Sequence, residues 1–398
     1  MGMITHSDFI PFHRASIGEE EIAAVRDVLL SGWLTTGPKA MEFEQEFARY
    51  IGCNYAVAVN SCTAALHLAL YAAGITAGDE VLLPTYTFTA TAEVCTYLGA
   101  RPVLCDSIPS GFNIDPDDVE RRITDRTRAL IAVHVAGEPC ELDALQGLAQ
   151  RHDLTLIEDA AHALPAEYCG RRIGSISQMT AFSFYATKTI TTAEGGMLTT
   201  NDRRIADSAR MMRLHGIAGD AWKRYSNEGS WYYEVERAGF KSNLTDLCAA
   251  LGLAQLNQAD AFYRRRYKIS RRYIEAFTGV DGLETPPAYF QDRSHAWHLF
   301  ILRIKPDILG ISRREFIEQL SKRGIGTSVH FIPLHLHPYY QRSYGYRHGD
   351  FPNAEDAYSR CISLPIFPAM SDADVKRVID AVQEVAHLHC EKSVTEFV

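Results

Sequence analysis

Leu154-Thr155-Leu156-Ile157-Glu158-Asp159-Ala160-Ala161-His162 is the stretch that decides the fold: an apolar run that stops at two carboxylates, with a histidine three residues past the second. So short an apolar run, with little polar alternation, reads as a strand covered on both faces. The same pattern recurs on either side of it. Tyr55–Val59, Glu80–Leu83, Pro102–Cys105 and Ala129–Val133 precede it, and Ala181–Phe184 and Gly196–Thr199 follow. Helical stretches lie between, as from Ser61 to Ala73 and from Ala90 to Leu98. Short apolar strands alternating with amphipathic helices predict an α/β fold built on a large, mostly parallel sheet, seven-stranded in type and flanked by helices. Ligands of such sheets collect at the carboxyl ends of the strands, where Asp159 and Ser183 both fall.

Further out, the apolar spacing of Ile22, Ala23, Val25, Val28 and Leu29 predicts a helix over Glu19–Leu30, broken by the loop Ser31-Gly32-Trp33-Leu34-Thr35-Thr36-Gly37-Pro38. Past Gln255 the character changes. A basic amphipathic stretch (Arg264, Arg265, Arg266, Lys268, Arg271, Arg272) leads to a strand at His298–Ile304, a helix near Arg313–Arg323 and a last helix over Ser371–His387. With 398 residues the chain exceeds the usual size of one core, so two domains are expected: 1–255, large, and 256–398, smaller and also α/β. The arginine-rich stretch reads as a solvated helix face.

Bulk properties exclude several classes. A net charge of −9 gives no basic field for nucleic acid or an anionic membrane. The nine cysteines are scattered without CxxC pairs, so neither a disulfide framework nor a zinc knuckle is expected. Met1 to Asp8 has no cationic and apolar signal pattern, and the apolar stretch from Ala64 to Ile75 is too short to span a bilayer. The expectation is a reduced, cytoplasmic protein, in which the sequon Asn243-Leu244-Thr245 is unused. No GxGxxG and no GxxxxGK[ST] occurs, which removes support for a nicotinamide enzyme or a P-loop NTPase. His335 and His337 stand on alternate positions without a nearby carboxylate, so no metal is expected.

The candidate chemistry centres on Lys188. It ends Phe182-Ser183-Phe184-Tyr185-Ala186-Thr187-Lys188, shortly before the tight turn Glu194-Gly195-Gly196. A lysine amine condenses with an aldehyde, and a buried aspartate holds a pyridine nitrogen protonated. Lys188 and Asp159 together therefore suit pyridoxal phosphate (PLP). Asp159 in isolation would also serve as a helix N-cap. His162 either contacts the cofactor ring or is a neutral, structurally bonded histidine. Asn60-Ser61-Cys62-Thr63-Ala64, at a strand-to-helix junction, offers free amides to a phosphate, or is a simple Ser/Thr cap. Ser183 adds a second hydroxyl. Phe88 is a candidate to stack on the ring, with a core aromatic as the alternative. Cys62 reads as a small residue rather than a reactive thiolate.

These segments, in this order, resemble the nucleotide-sugar aminotransferases of the DegT/StrS type, a branch of the fold-type-I PLP enzymes. The resemblance runs from Ser31–Pro38 through Glu158–His162 and Lys188 to Leu364-Pro365-Ile366-Phe367-Pro368. It implies Lys188 as cofactor lysine and proton shuttle, Asp159 on the pyridine nitrogen, His162 on the ring, Thr63, Ala64 and Ser183 on the phosphate, and Phe88 as the stacking aromatic. It also implies a homodimer with shared sites, in which Gly239–Thr245 reaches the neighbour's phosphate through Lys241. The pairing of Lys241 with Asn243 is similar to the branch acting on UDP-4-keto-pentoses and related 4-keto sugars. The implied reaction moves an amino group from an amino acid, L-glutamate, to a keto carbon of a nucleotide-linked sugar. Trp33, His330 and His335 are the candidate sugar contacts. Cys62, Glu138 and the segment from Asp220 to Arg237 depart from the family pattern. A PLP-dependent sugar dehydratase or lyase, or a non-catalytic sensor on the same fold, stays open at this stage.

Overall fold

The computed structural model describes residues 9–217 and 232–395; most of the segment from Asp220 to Arg237, like Met1–Asp8, lies outside them. Seven strands form the main sheet: β1 (Tyr55–Val59), β2 (Glu80–Pro84), β3 (Arg101–Cys105), β4 (Thr127–Val133), β5 (Thr155–Asp159) and, after the two-residue β6 (Glu167–Tyr168) and β7 (Arg171–Arg172), β8 (Met179–Ser183) and β9 (Gly196–Thr200). Their spatial order is β1-β9-β8-β5-β4-β2-β3. All run parallel except β9, which is antiparallel to both of its neighbours.

The apolar runs carry this sheet because each strand feeds two cores alternately. Val57, Val59, Val81, Leu83, Ile131 and Ile157 point into one buried cluster. Ala56, Ala58, Leu82, Leu130 and Leu156 point into the other. A period of two with both faces apolar is what a sheet covered by helices on each side requires.

A third core belongs to the C-terminal part, where Ile269, Tyr273, Phe277, Phe300, Leu302, Phe316 and Val378 pack together. It surrounds the antiparallel sheet of β10 (Leu283–Glu284), β12 (Phe300–Ile304) and β13 (Cys361–Leu364), while β11 (Arg293–Ser294) returns to pair with β6. The helix Asp246–Phe277 links the cores. At 1.5 Å per residue its 32 residues reach about 48 Å. It packs on the helices Glu19–Ser31 and Pro38–Ile51 at one end and enters the third core at the other. The expected division at 255/256 falls inside this helix. At the chain's start, Ile10 forms a parallel bridge to Ile325, tying the N-terminal segment to the C-terminal part.

One expectation fails on this helix. Arg266 is not solvated: it is 1% exposed, and its Nη1 donates to the carbonyls of Trp297 (3.4 Å), His298 (3.2 Å) and Ile366 (2.6 Å). Arg264 and Arg271 on the same helix are exposed, as expected. Among the described residues, no helix is long and apolar enough to cross a membrane.

Candidate active site

A cavity of about 390 Å³ opens at the carboxyl ends of β1, β2, β5 and β8. On the sheet side it is lined by Ser61–Thr63, Thr87, Phe88, Asp159, His162, Ser183 and Lys188, and on the opposite side by Phe12, His13, His298, His330, Phe331 and Ile366. The first set comes from strand ends and the second from segments far off in sequence.

Lys188 stands in the turn between β8 and β9, its amide donating to the Tyr185 carbonyl at 2.9 Å. Burial brings its pKa down from 10.5 to about 8, against the opposing pull of Cys62 and Asp159. A lysine that gives up its proton this readily is prepared to act as a nucleophile and as an acid–base. The sign gives a prediction. Below about pH 8 the amine is mostly protonated, so the rate at which cofactor-free protein captures PLP should rise about tenfold per pH unit and level off above pH 8. The appearance of the bound cofactor's absorption band reads this rate, and a rate still climbing at pH 10 would contradict a depressed lysine.

Asp159, the last residue of β5, is 5% exposed. Its Oδ2 accepts from the Thr91 hydroxyl at 2.8 Å and its Oδ1 from the Ala161 amide at 3.1 Å. Burial pushes this carboxyl up, while Thr91, Ala161 and the Lys188 charge pull it back. A cation placed against it would lower it further. Beneath it, the buried pair of His134 Nε2 and Glu158 Oε2 (2.8 Å), with Thr180 and the Ser177 amide on Glu158, fixes the end of the strand. Cys62 lies beside Asp159, its Sγ 3.9 Å from Oδ1, and burial pushes its thiol well above the ordinary range. Burial therefore disfavours a thiolate there.

The backbone at Ser61–Thr63 presents free amides at a helix start, a geometry suited to an anion. Ser61 caps the helix Cys62–Ala72, its Oγ accepting from the Ala64 amide at 3.1 Å. The first helical bond runs from the Ala65 amide to the Ser61 carbonyl, so Cys62 and Thr63 have amides without intrahelical acceptors. Ala64 departs from its expected place: its amide is held by the cap and it does not line the cavity. Gly196 lets β9 pass directly beneath this turn. A Cβ there would lie 2.5 Å from the Ser61 carbonyl carbon and oxygen. Gly196→Ala should therefore cost about 1–3 kcal/mol through backbone displacement and weaken PLP retention. Thermal unfolding with and without PLP measures both.

His162 is buried, and its Nδ1 accepts from the Ala136 amide at 3.2 Å, which places the ring proton on Nε2. Burial, with Lys188 and His330 nearby, holds it neutral. Phe88 is 60% exposed at the mouth rather than in the core, 6.1 Å from Phe331 between ring centroids. Ser183 borders the cavity, half-buried. His330 also borders it, with Nδ1 2.9 Å from the Ser363 hydroxyl.

Two candidate sugar contacts, His335 and Trp33, stand away from the cavity, and Lys241, expected at a neighbour's site, lies outside its own. His335 is fully buried, its Nδ1 2.7 Å from the Thr85 hydroxyl and its Nε2 2.9 Å from Glu355, so both ring nitrogens are occupied and neither faces the cavity. Trp33 does not line the cavity; its indole lies over Gly37 and donates to the Thr36 carbonyl at 3.3 Å. Lys241 is exposed and bonds to Asn243 Oδ1, away from the Lys188 cavity of its own chain. Conversely, sequence reading missed Thr91, His13 and His298. Thr91 had a weak signal as a polar residue in the first turn of the helix Ala90–Tyr97; the histidines had none, His13 being brought in by the N-terminal segment and His298 by the C-terminal part.

The lysine amine, the buried carboxyl and the free amides at a helix start fit the aldehyde, pyridine nitrogen and phosphate of PLP. A model of the DegT/DnrJ/EryC1/StrS aminotransferase family matches residues 15–383. The chain belongs to this family. It is a PLP-dependent aminotransferase of fold type I. The Bacillus subtilis spore coat polysaccharide biosynthesis protein SpsC is 51% identical over 378 residues, covering 95% of this chain and 97% of its own. The sugar aminotransferase Spr1654 of Streptococcus pneumoniae, in its PMP form, superposes with a TM-score of 0.89 at 34% identity, covering 95% of this chain and 99% of its own. DesV of S. venezuelae gives a TM-score of 0.84 at 38% identity, covering 92% and 94%.

Proposed function

We propose that this aminotransferase moves the amino group of L-glutamate to the C4 keto carbon of a nucleotide-linked sugar. The observation that carries the transfer is the meeting of Lys188 and Asp159 in one cavity at the sheet's carboxyl edge. The sugar is supported by relatives: SpsC serves polysaccharide biosynthesis, and Spr1654 is a sugar aminotransferase.

PLP, when bound, supplies a carbon that carries the amino group and a ring that draws electrons from the substrate. The chain's residues do the rest. Lys188 takes a proton from the substrate carbon at one stage and returns one at the other, a role its pKa of about 8 suits near neutral pH. The Asp159 carboxylate, fixed by Thr91 and Ala161, would hold the positive charge of a protonated pyridine nitrogen. His162 would have its Nε2 proton to offer to the ring, because the Ala136 amide occupies Nδ1. Phe88 and Phe331 narrow the mouth and limit water. Residues from the main sheet's strand ends would carry the cofactor, and the N-terminal segment (Phe12, His13) together with residues 256–398 would supply the wall over it.

A homodimer completes the site in this reading, with Lys241 reaching the neighbour's phosphate as a point charge. The exposure of Lys241 and its distance from its own chain's cavity support such a role. Lys241→Ala should then weaken PLP retention about tenfold, measured by equilibrium dialysis of the dimer; retention equal to wild type contradicts the role.

The deciding experiment is the absorption spectrum of the PLP-loaded protein before and after L-glutamate, with 2-oxoglutarate assayed in parallel. Bleaching of the long-wavelength band with equimolar 2-oxoglutarate is the expected result, followed by amination across a panel of UDP- and dTDP-linked 4-keto sugars. An unchanged band refutes the donor. Sugar turnover without keto acid release points instead to dehydration or elimination.

A further inference from the structure

The cavity wall opposite the sheet contains two polar groups that the reaction above does not use. His298 borders the cavity and is 5% exposed, yet its ring makes no hydrogen bond among the described residues, and its Nδ1 is buried and unpartnered. Behind it lies Arg266, whose Nη1 bonds to the carbonyls of His298 and Ile366, both cavity-lining residues. The Nε and Nη2 of Arg266 are buried without partners, and no carboxylate pairs with it among the described residues. A buried guanidinium with no counter-ion is costly unless an anion arrives to offset it. Its field reaches the wall, since it helps to hold His13 and His298 neutral.

We propose that this wall, with His298 as the contact and Arg266 as the charge behind it, receives a carboxylate of the amino-acid donor. The inference rests on the aminotransferase reading above and adds the subsite for its donor. An α-amino acid carries its carboxylate on the very carbon whose proton Lys188 removes, so the group that binds it must border the same cavity. His298 does. In the reading above the PLP phosphate would take the free amides of Cys62 and Thr63. A nucleotide diphosphate must lead outward to a nucleoside, whereas His298 and Arg266 are buried at 5% and 1% exposure, depth that suits a small terminal anion. His298, neutral and free of other bonds, has an N–H to give, and burial strengthens that bond to a carboxylate. Arg266 is a positioning residue: it touches the wall, not the donor.

The test uses the PLP-loaded enzyme and two unreactive probes, the dicarboxylate maleate and the nucleoside diphosphate UDP, each titrated by calorimetry. His298→Phe keeps the ring and removes the donor. It is expected to weaken maleate about tenfold, to leave UDP within about twofold, and to raise KM for glutamate about tenfold with kcat within about threefold. Arg266→Lys retains the charge and should keep maleate within about threefold of wild type, whereas Arg266→Met, if it folds, should lose about tenfold. Maleate binding untouched by His298→Phe overturns the proposal, as does an equal loss of UDP, which would assign the wall to the nucleotide. A loss in Arg266→Lys as large as in His298→Phe removes the charge from the account. Failure of wild type to release 2-oxoglutarate from glutamate would instead strike the parent reading, so the two failures are separable.

Discussion

Lys188→Ala is expected to bind PLP and to turn over on the order of 10³-fold more slowly than wild type, at the level where a positioned acid–base is lost. Binding survives because the phosphate cradle at Cys62 and Thr63 and the Asp159 carboxyl do not involve the lysine. Two contributions vanish together, the covalent hold on the cofactor and the proton shuttle, and the histidines of the cavity do not replace the second. His13 and His330 are held near pKa 4 by burial and His162 lower than its ordinary value, so they are poor bases for a carbon acid. Lys188→Arg separates charge from chemistry. It keeps a cation beside Asp159, but a guanidinium stays protonated and neither condenses with PLP nor exchanges protons near neutrality. It should be as inactive as the alanine variant. Release of 2-oxoglutarate, with the cofactor content from the absorption spectrum, is the readout; wild-type turnover in either variant would remove Lys188 from the mechanism.

The parts of this site that were legible in sequence share one physical origin. A parallel strand buried on both faces is a mostly apolar run, so the polar residues that end it mark the sheet's carboxyl edge. Asp159 and Ser183 end such runs, and Asn60 directly follows β1. Lys188 is recognisable because it stands between two strands of the same series. The opposite wall has no such rule. Phe12, His13, His298, His330 and Phe331 meet the cavity because the N-terminal segment and the C-terminal part fold against the main sheet, and nothing local in their segments reports that. Arg266 shows how charge patterning misleads: in a run of arginines the average residue is solvated, yet one helical face points into the third core and takes three carbonyls with it. His335 misled in the opposite direction. It sits two residues from His337 in a histidine-rich segment, but Thr85 and Glu355 use both of its ring nitrogens, and it serves as a buried strut.

Asp159→Asn should be the second most damaging change, with turnover lower by about 10²–10³ and the fold intact, as expected when a preorganised charge is removed from a buried site. The neutral amide cannot hold a pyridine nitrogen protonated, so the bound ring draws electrons less strongly. Structure around the site has the means to absorb the substitution. The Asn carbonyl can still accept from the Ala161 amide, and where the carboxylate accepted from Thr91, the new amide donates to it instead. Thr91 can reverse its hydroxyl because Thr87 Oγ1 lies 2.8 Å away as an alternative acceptor. Thermal stability should therefore move little while kcat collapses, a split that a merely structural aspartate would not produce. A helix-capping role, the plain alternative for an aspartate at this junction, predicts the opposite: lost stability with activity retained in whatever remains folded. Thr91→Val sharpens the comparison. It removes one hydrogen bond to Oδ2 but leaves the charge, so its effect on kcat should be at least about tenfold smaller than that of Asp159→Asn. Equal losses in the two variants would mean that the hydrogen-bond network, rather than the carboxylate charge, sets the rate.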